Sequence, residues 1–409
     1  MSWKRRLKSR WRGCGMSEWK FKALEDIAQI KPTEKIEKGQ IAKNIPMTKL
    51  TEFQRKIDGF DLVKYKSGGT KFRNGDTLVA KITPCLENGK TAFVDILDKD
   101  EIGFGSTEFI VLRAKSDTEP KFLYYLSVSP LFRTKAISLM EGTSGRKRVN
   151  ENELMISEFL VPDLVEQKKI AKVLSNFDDK IELNKQINTQ LEAMAKTLYD
   201  YWFVQFDFPD ESGKPYKSSG GKMVYNETLK REIPEGWEVK KLGEYSIVKK
   251  GQLITKKEVI TTGEFKVVSG GLDFAYYHNI YNREADIITV SASGANAGFI
   301  RFWREKIFAN DCITVQGSGS GETLYIYMAM LQRQGYLYSQ ARGSAQPHVY
   351  PKDVEVLPII IPDSTTLKKF CNDIERVNDL MRICEVQNQE LAQLRDWLLP
   401  MLMNGQVTL

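Results

Sequence analysis

Two long segments of the chain carry apolar residues at alternating steps of three and four, the spacing of a helix that packs along a seam. The first seam comprises Ile170, Leu174, Phe177, Ile181, Leu191, Met194, Leu198 and Trp202. The second comprises Phe370, Ile374, Val377, Met381, Leu391, Leu394 and Leu398. The series match without a gap at an offset of 200, and Asn188 and Asn388 share one position. We therefore predict two helices of roughly 40 residues that pair with each other; two unrelated amphipathic helices, each packed on its own domain, are the alternative.

The same duplication extends over the rest of the chain. Three pairs of segments resemble each other: residues 19–24 and 237–242, 75–80 and 285–290, and 161–163 and 361–363. The chain therefore consists of two related halves, each a globular unit followed by a helix. Runs rich in β-formers lie at residues 77–83, 109–113, 286–291 and 313–316, and helical stretches lie near 120–137 and 323–334. This mixture predicts an α+β fold with a pseudo-twofold internal repeat.

Composition narrows the class of protein. The mean hydropathy is −0.37, and no apolar run approaches the roughly 18 residues of a membrane span. The five cysteines form no Cys-x-x-Cys pair, which fits a reducing cytoplasm. The net charge of +7 includes six basic residues within residues 1–15, so the rest of the chain is nearly neutral. We interpret residues 1–16 as a basic leader, disordered or upstream of a natural start at Met16; a nucleic-acid-binding arm is the alternative.

Motifs for catalysis are incomplete in this sequence. Residues 89–91, Gly-Lys-Thr, match the end of a phosphate-binding loop, but Pro84 stands where its first glycine belongs. A zinc site or a Ser-His-Asp triad would have to be built from only two histidines, His278 and His348, and we expect neither. Asp163 and Glu166 fit a helix capping box better than a nuclease metal site. We therefore predict a non-catalytic chain with no catalytic residues, no metal and no cofactor of its own.

Basic and small polar side chains in loops suggest a binding surface. Lys and Arg neutralise phosphates, whereas Arg, Asn and Gln read base edges. The candidate DNA-contacting residues of the first half are Lys71, Arg73, Lys81, Thr83, Lys90, Ser144, Arg146, Lys147 and Arg148. Those of the second half are Lys249, Lys250, Gln252, Ser291, Ser293, Asn296, Arg301, Asn310, Arg342, Ser344 and Gln346. A solvated surface side chain is the alternative for any one of them, so the hypothesis depends on the whole set.

Several segments together resemble the specificity subunit of type I restriction–modification systems. They are Trp19 and Trp237 with Leu24 and Leu242, residues 74–90, the Val-Pro-Asp and Ile-Pro-Asp openings of the helices, and above all residues 202–210, 213–221 and 233–237. The resemblance covers nearly the whole chain from residue 17 onward. The basic leader is a departure, because the family pattern does not require it.

The resemblance implies a DNA-binding subunit of a larger complex. Two target-recognition domains would each read one half of a bipartite sequence in double-stranded DNA, and the long helices would pair antiparallel as a spacer. Two modification subunits would dock on them, bind S-adenosylmethionine and methylate adenine, and restriction subunits would use ATP and magnesium. The chain itself would have no catalytic role, no membrane contact and a cytoplasmic location. A scaffold without a DNA role, in which the coiled coil joins two protein-binding domains, is the competing interpretation.

Domain boundaries and pairing residues follow from the repeat. We predict a leader at residues 1–16, target-recognition domains at 17–162 and 237–362, spacer helices at 163–206 and 363–409, and a connector at 207–236. The residues predicted to pair the helices are Leu174, Phe177, Ile181, Leu191, Leu198, Ile374, Val377, Met381, Leu391 and Leu398.

Overall fold

The chain folds into two compact units. The computed structural model describes residues 19–143, 145–255, 258, 260–342 and 347–409. The first unit comprises the chain up to Leu183 together with the C-terminal segment Gln387–Leu409. The second unit comprises Asn184–Val386. The predicted leader at residues 1–16 lies outside the described residues.

Each half contains a run of short strands, a few short helices and one long helix at its end. The strands of the first half are β1 (Lys20–Ala23), β2 (Ala28–Ile30), β3 (Ile41–Ile45), β4 (Asp61–Lys64), β5 (Thr70–Phe72), β6 (Thr77–Ala80), β7 (Thr91–Phe93), β8 (Gly103–Gly105), β9 (Phe109–Ala114), β10 (Met140–Glu141), β11 (Arg148–Val149) and β12 (Glu158–Val161). Its helices are α1 (Leu24–Ile27), α2 (Pro120–Val128), α3 (Pro130–Ser138), α4 (Glu151–Met155) and α5 (Leu164–Tyr199), with a 3-10 turn at Met47–Lys49 and a π-helical turn at Asp200–Val204.

The second half has a similar but not identical order of elements. Its strands are β13 (Met223–Asn226), β14 (Arg231–Pro234), β15 (Glu238–Lys241), β16 (Ile247–Lys250), β17 (Phe265–Val268), β18 (Phe274–His278), β19 (Ile287–Ser291), β20 (Ile300–Trp303), β21 (Ile307–Ala309), β22 (Cys312–Gln316) and β23 (Pro358–Ile361). Its helices are α6 (Leu242–Tyr245), α7 (Ser320–Leu331), α8 (Gln334–Gln340), α9 (Pro351–Glu355) and α10 (Ser364–Met403). The predicted α+β class with an internal repeat is confirmed.

Two four-stranded sheets form the body of the first unit. One has the order β2-β9-β6-β7 and is antiparallel throughout, and the other has the order β4-β3-β8-β5. β6 is buried along its whole length, so its two faces serve two cores. Leu78 packs in one cluster with Phe72, while Val79 packs in another with Phe122. This alternation is the period of two that a strand imposes on its side chains.

Proline divides the helical stretch predicted at residues 120–137. The structure has two helices there, and Pro130 begins the second. Proline has no amide hydrogen for a bond inside the first helix, but its fixed backbone angle suits the first turn of the next. The Ser129 hydroxyl caps that turn by accepting the Phe132 amide at 3.4 Å.

The second unit is built on the equivalent sheet, in the order β16-β22-β19-β20, beside a three-stranded sheet of β18, β17 and β21. Its core is rich in aromatic residues. Phe203 lies with its ring centroid 4.8 Å from that of Phe370, and Phe208 stacks on Trp237 at 4.8 Å. The aromatic residues after α5 therefore anchor the chain to the start of the second half.

Both long helices begin at an aspartate cap. Asp163 Oδ1 accepts the Glu166 amide at 2.9 Å, and Asp363 Oδ1 accepts the Thr366 amide at 3.0 Å. The Glu166 carboxylate instead accepts the amide of Leu409 at 3.0 Å. The cap is therefore as predicted, whereas the carboxylate that would complete the box binds elsewhere.

Within each unit the segments of α5 and α10 run antiparallel, as predicted. In the first unit Leu174 is buried in one cluster with Leu399, and Arg395 Nη1 lies 2.6 Å from Asp178 Oδ1. In the second unit Asn188 Nδ2 donates to the Met381 carbonyl at 3.2 Å.

The buried seam deviates from the strict apolar pattern toward the end of each helix. Met194 and Leu394 are 60% and 52% exposed, so their assignment to the seam was wrong. Leu191 and Leu391 are only half-buried. A straight α-helix drifts about 20° per heptad relative to a repeat of 3.5 residues, so the contact line moves to neighbouring positions. Ala195, Tyr199, Leu399 and Leu402 are buried instead.

Candidate nucleic-acid interface

A loop in the first unit is held against the end of strand β6. It connects β10 to β11, just before α4. The Thr83 amide donates to the Lys147 carbonyl at 3.0 Å, and the Val149 amide donates to the Lys81 carbonyl at 2.9 Å. This short ladder brings Lys81 and Thr83 beside the Arg146-Lys147-Arg148 run, as one patch.

The cations of this patch differ in what holds them. Arg148 makes a bidentate contact with Glu108, with Nη2 2.8 Å and Nε 2.9 Å from its two carboxylate oxygens. The hydrogen bond from Arg148 lowers the pKa of Glu108, so the pair stays charged at neutral pH. Lys81 is paired with Glu151 at 3.0 Å. Arg146 and Lys147 are exposed, and their side chains form no ion pair or hydrogen bond with the residues that the structure describes.

Other predicted residues of the first half have different surroundings. The Lys90 backbone adjoins the patch, since its carbonyl accepts the Ala80 amide at 3.0 Å, but its side chain donates to the Met47 carbonyl at 3.4 Å. Lys71 instead lies 5.5 Å from the Tyr65 ring centroid. Ser144 is outside the described residues.

Arg73 belongs to a partly buried charge network rather than to the patch. Its Nε lies 2.6 Å from Glu34 Oε1, and Glu34 also accepts Arg113, which in turn binds Asp76. Burial would raise the pKa of Glu34, but the hydrogen bonds from Arg73 and Arg113 hold it below its ordinary value. Arg73 is thus tied to the fold, although its side chain is 54% exposed.

The second unit builds the same ladder at equivalent positions. The Gly294 amide donates to the Pro347 carbonyl at 3.0 Å, and the Val349 amide donates to the Ala292 carbonyl at 3.0 Å. This ladder follows β19 and precedes α9, as the first follows β6 and precedes α4. Ser344 and Gln346 of this loop lie outside the described residues. Arg342 closes it through two backbone bonds with His348, at 3.0 and 2.8 Å.

Three predicted residues lie at the same end of the sheet as this ladder. Ser293 donates its hydroxyl to Asp311, and the neighbouring Asn310 accepts the Ile254 amide through its side-chain oxygen at 3.2 Å. The Gln252 amide bonds the Ala309 carbonyl at 2.9 Å. Lys249 and Lys250 are exposed on β16, the edge strand that leads to Gln252.

The remaining candidates have other surroundings, although Ser291 and Asn296 are close in sequence to the ladder residues Ala292 and Gly294. Arg301 bonds the Leu272 carbonyl at 2.7 Å and lies over the Trp303 ring at 4.3 Å. Ser291 is buried, and its hydroxyl lies 3.4 Å from the Gly271 carbonyl. Asn296 is half-buried in a turn.

Sequence reasoning missed the acids that hold the basic residues. Glu108 and Glu151 lie 40 and 70 residues from their partners Arg148 and Lys81. In the second unit Asp353, 11 residues after Arg342, lies 3.6 Å from its guanidinium. No local pattern marks these acids, because their role depends on the sheet that brings distant segments together.

The duplicated ladder points to two equivalent binding units in one chain, and comparison with known proteins identifies the family. The model of the family described as "Type I restriction modification DNA specificity domain" matches residues 16–193 and 234–393. The chain belongs to that family. The specificity-subunit family has a DNA-recognition role and no catalytic one, which confirms the prediction made from the missing motifs; nothing favours the scaffold without a DNA role.

Individual relatives agree with this assignment. The MjaIX type I specificity subunit of Methanocaldococcus jannaschii is 30% identical over 72% of this chain and 70% of its own length. The HindI specificity subunit of Haemophilus influenzae is 24% identical over 82% of this chain and 87% of its own. In fold, the chain is similar to the crystal structure of the S subunit from M. genitalium, with a TM-score of 0.58, 17% identity and coverage of 96% and 98% of the two chains.

Membership in the family also fits the partners that the resemblance implied. Specificity subunits of type I systems bind DNA and assemble with modification and restriction subunits. Within the described part of the chain, no helix is long and apolar enough to cross a membrane. In the same residues no group of three or more His, Cys, Asp or Glu side chains is placed to hold a metal ion.

Proposed function

We propose that each globular unit reads one half of a bipartite DNA target. The observation that carries this proposal is the duplicated ladder, which holds an equivalent loop at the end of β6 in one unit and of β19 in the other. We assign the two recognition domains to residues 17–162 and 237–362, with the connector at 207–236 between the first helix and the second domain. Two equivalent recognition domains in one chain are suited to a target that consists of two separate half-sites.

The loops provide the chemistry for binding a duplex. In the first unit Arg148 is fixed by Glu108, while Arg146 and Lys147 extend into solvent. Mobile cations neutralise phosphates, and a guanidinium held in one orientation is suited to bidentate contact with guanine. We therefore assign phosphate contact to Arg146 and Lys147, and base contact to Arg148.

The long helices are proposed to space the half-sites and to dock two modification subunits. Each unit leaves large apolar side chains of α10 uncovered: Leu394 and Trp397 are 52% and 60% exposed in the first, and Leu380 and Ile383 are each 52% exposed in the second. Exposed apolar stripes of this kind are suited to a partner helix. S-adenosylmethionine, ATP and magnesium then belong to the partner subunits, and the complex acts on DNA in the cytoplasm.

Replacing Arg146 and Lys147 by alanine tests the assignment of phosphate contacts. We expect the complex with modification subunits to bind target DNA more weakly, with the slope of log affinity against log salt reduced by about 2. The measurement is a salt titration of DNA binding by fluorescence anisotropy. Lys99→Ala, at an exposed lysine in a turn of the same half, is the control and should leave the slope unchanged. An unchanged slope in the double variant would show that this loop does not meet the phosphates.

A further inference from the structure

Charged side chains tie the globular part of the first unit to the helix that follows it. Lys56 Nζ lies 2.6 Å from Glu182 Oε1 on α5, and the adjacent Arg55 pairs with Asp179 one turn earlier. The Arg55 side chain is only 10% exposed, so this contact is shielded from water. A basic loop therefore lies on an acidic stretch of α5.

The second unit has a similar attachment with the opposite polarity. Arg382 on α10 donates from Nη2 to both carboxylate oxygens of Asp286, at 2.7 and 2.6 Å. Arg304 extends from the globular part toward α10, where its Nε donates to Asn378 Oδ1 at 2.8 Å and its Nη1 to Glu385 at 2.9 Å. The Asp286 and Arg304 side chains are 15% and 14% exposed, so both contacts are largely buried.

The two attachments use equivalent positions of the two long helices, but the charges at these positions are opposite. Both helices begin after a capping aspartate, Asp163 or Asp363, so positions separated by 200 residues correspond. Glu182 on α5 corresponds to Arg382 on α10. Likewise Lys185 corresponds to Glu385. If the second globular part were seated on α5, Asp286 would face Glu182 and Arg304 would approach Lys185. Like charges facing each other in a partly buried contact disfavour the wrong pairing.

We propose that the pairs Lys56–Glu182 and Asp286–Arg382 form a polarity code that seats each recognition unit on its own helix. This inference rests on the proposed function, because the orientation of the unit on the helix determines where its loop meets DNA. The four residues are positioning residues. They touch no DNA, and they act by fixing the direction in which the two ladders, at Lys81 with Val149 and at Ala292 with Val349, are presented.

Reversal and restoration of charge in the second unit test the code. Arg382→Glu should reduce methylation of the natural target by the complete complex about tenfold. The double variant Asp286→Arg with Arg382→Glu should return to within about threefold of the wild type, because the pair is remade with reversed charge. The same substrates are prepared with the gap between half-sites one base pair shorter or longer. The single variant should lose its preference for the natural gap, and the double variant should regain it.

A matched control separates this effect from a general effect of charge on the helix. Arg376→Glu changes a residue of the same helix that is 81% exposed and lies 3.9 Å from Asp373 in an i,i+3 pair. It should methylate the natural target like the wild type. If the double variant is no more active than Arg382→Glu, or if Arg382→Glu equals the control, the polarity code is wrong.

A measurement without DNA separates failure of the code from failure of the proposed function. Urea unfolding of the whole chain is followed for the wild type, both single variants and the double variant. The double variant should regain most of the midpoint lost by Arg382→Glu, whether or not the chain binds DNA. If the loss of stability in the double variant equals the sum of the losses in the two single variants, the polarity code is wrong even if methylation is normal. Restored stability in a chain that directs no methylation would instead overturn the proposed function.

Discussion

Single buried charged side chains connect several elements of this molecule. Asp178 lies near the middle of α5 with a side chain only 7% exposed. It accepts the Tyr125 hydroxyl at 2.5 Å and pairs with Arg395 at 2.6 Å. Burial raises the pKa of Tyr125 well above its ordinary value, so this hydroxyl stays protonated and able to donate. One carboxylate thus joins the globular part of the first unit, α5 and the last turns of α10.

Replacing Asp178 by alanine should therefore be costly. Among the residues that the structure describes, it leaves the Arg395 guanidinium, 11% exposed, with Asp396 at 2.8 Å as its remaining ion pair. Breaking a buried pair from one side typically costs about 3 kcal/mol or more. We expect a loss of about 3 kcal/mol in the free energy of unfolding, measured by urea titration with circular dichroism. Asp373→Ala removes a carboxylate that is 52% exposed and should change stability by less than about 0.5 kcal/mol. Equal effects of the two substitutions would contradict the structural role given to Asp178.

At the scale of elements, the sequence predicts what depends on local pattern. The apolar repeat indicated both long helices, and the duplicated Pro-Asp dipeptides marked their starts, because a cap lies next to the residues it serves. The break at Pro130 is also a local signal, but the prediction ran a single helix across it. The ladder between Lys81 and Val149 was not predicted, because these two residues are 68 positions apart along the chain. The roles of Glu108 and Glu151 were not predicted for the same reason, because these acids lie 40 and 70 residues from their partners.

The position of the seam can be tested with two leucines of the first unit. Leu174 is fully buried, whereas Leu394 is 52% exposed although it fits the same apolar pattern. Truncation of a buried leucine typically costs about 2–5 kcal/mol. Leu174→Ala should therefore lower the free energy of unfolding by that amount, and Leu394→Ala by less than about 0.5 kcal/mol. Urea titration measures both.

The half-buried Leu191 should fall between these two variants. A large cost for Leu394→Ala in the isolated chain would mean that the strict repeat, and not the drifted seam, describes the packing. If Leu394→Ala leaves stability intact but weakens binding of the modification subunit, the exposed side chain serves the partner as proposed.

At the scale of the whole molecule, the two long helices are the elements common to both units. α5 has 36 residues and α10 has 40, which corresponds to about 54 and 60 Å at 1.5 Å per residue. Each helix supplies one segment to the first unit and one to the second. A change in helix length close to the boundary between those segments, at Leu183 and Asn184, should therefore alter the spacing of the two recognition domains and leave the loops of each domain intact.

Inserting four residues within positions 186–193 of α5 tests whether the helices set the gap between half-sites. The insertion adds just over one turn, about 6 Å. That is nearly two base-pair steps of about 3.4 Å. Four residues roughly preserve the apolar face, so pairing with α10 should survive as a stutter. We expect the half-site sequences to stay the same while the methylated target gains one or two base pairs in its gap, as measured by methylome sequencing of cells that carry the variant. Unchanged methylation at the original gap would show that the helices do not set it, and the connector or the partner subunits would then have to fix the distance.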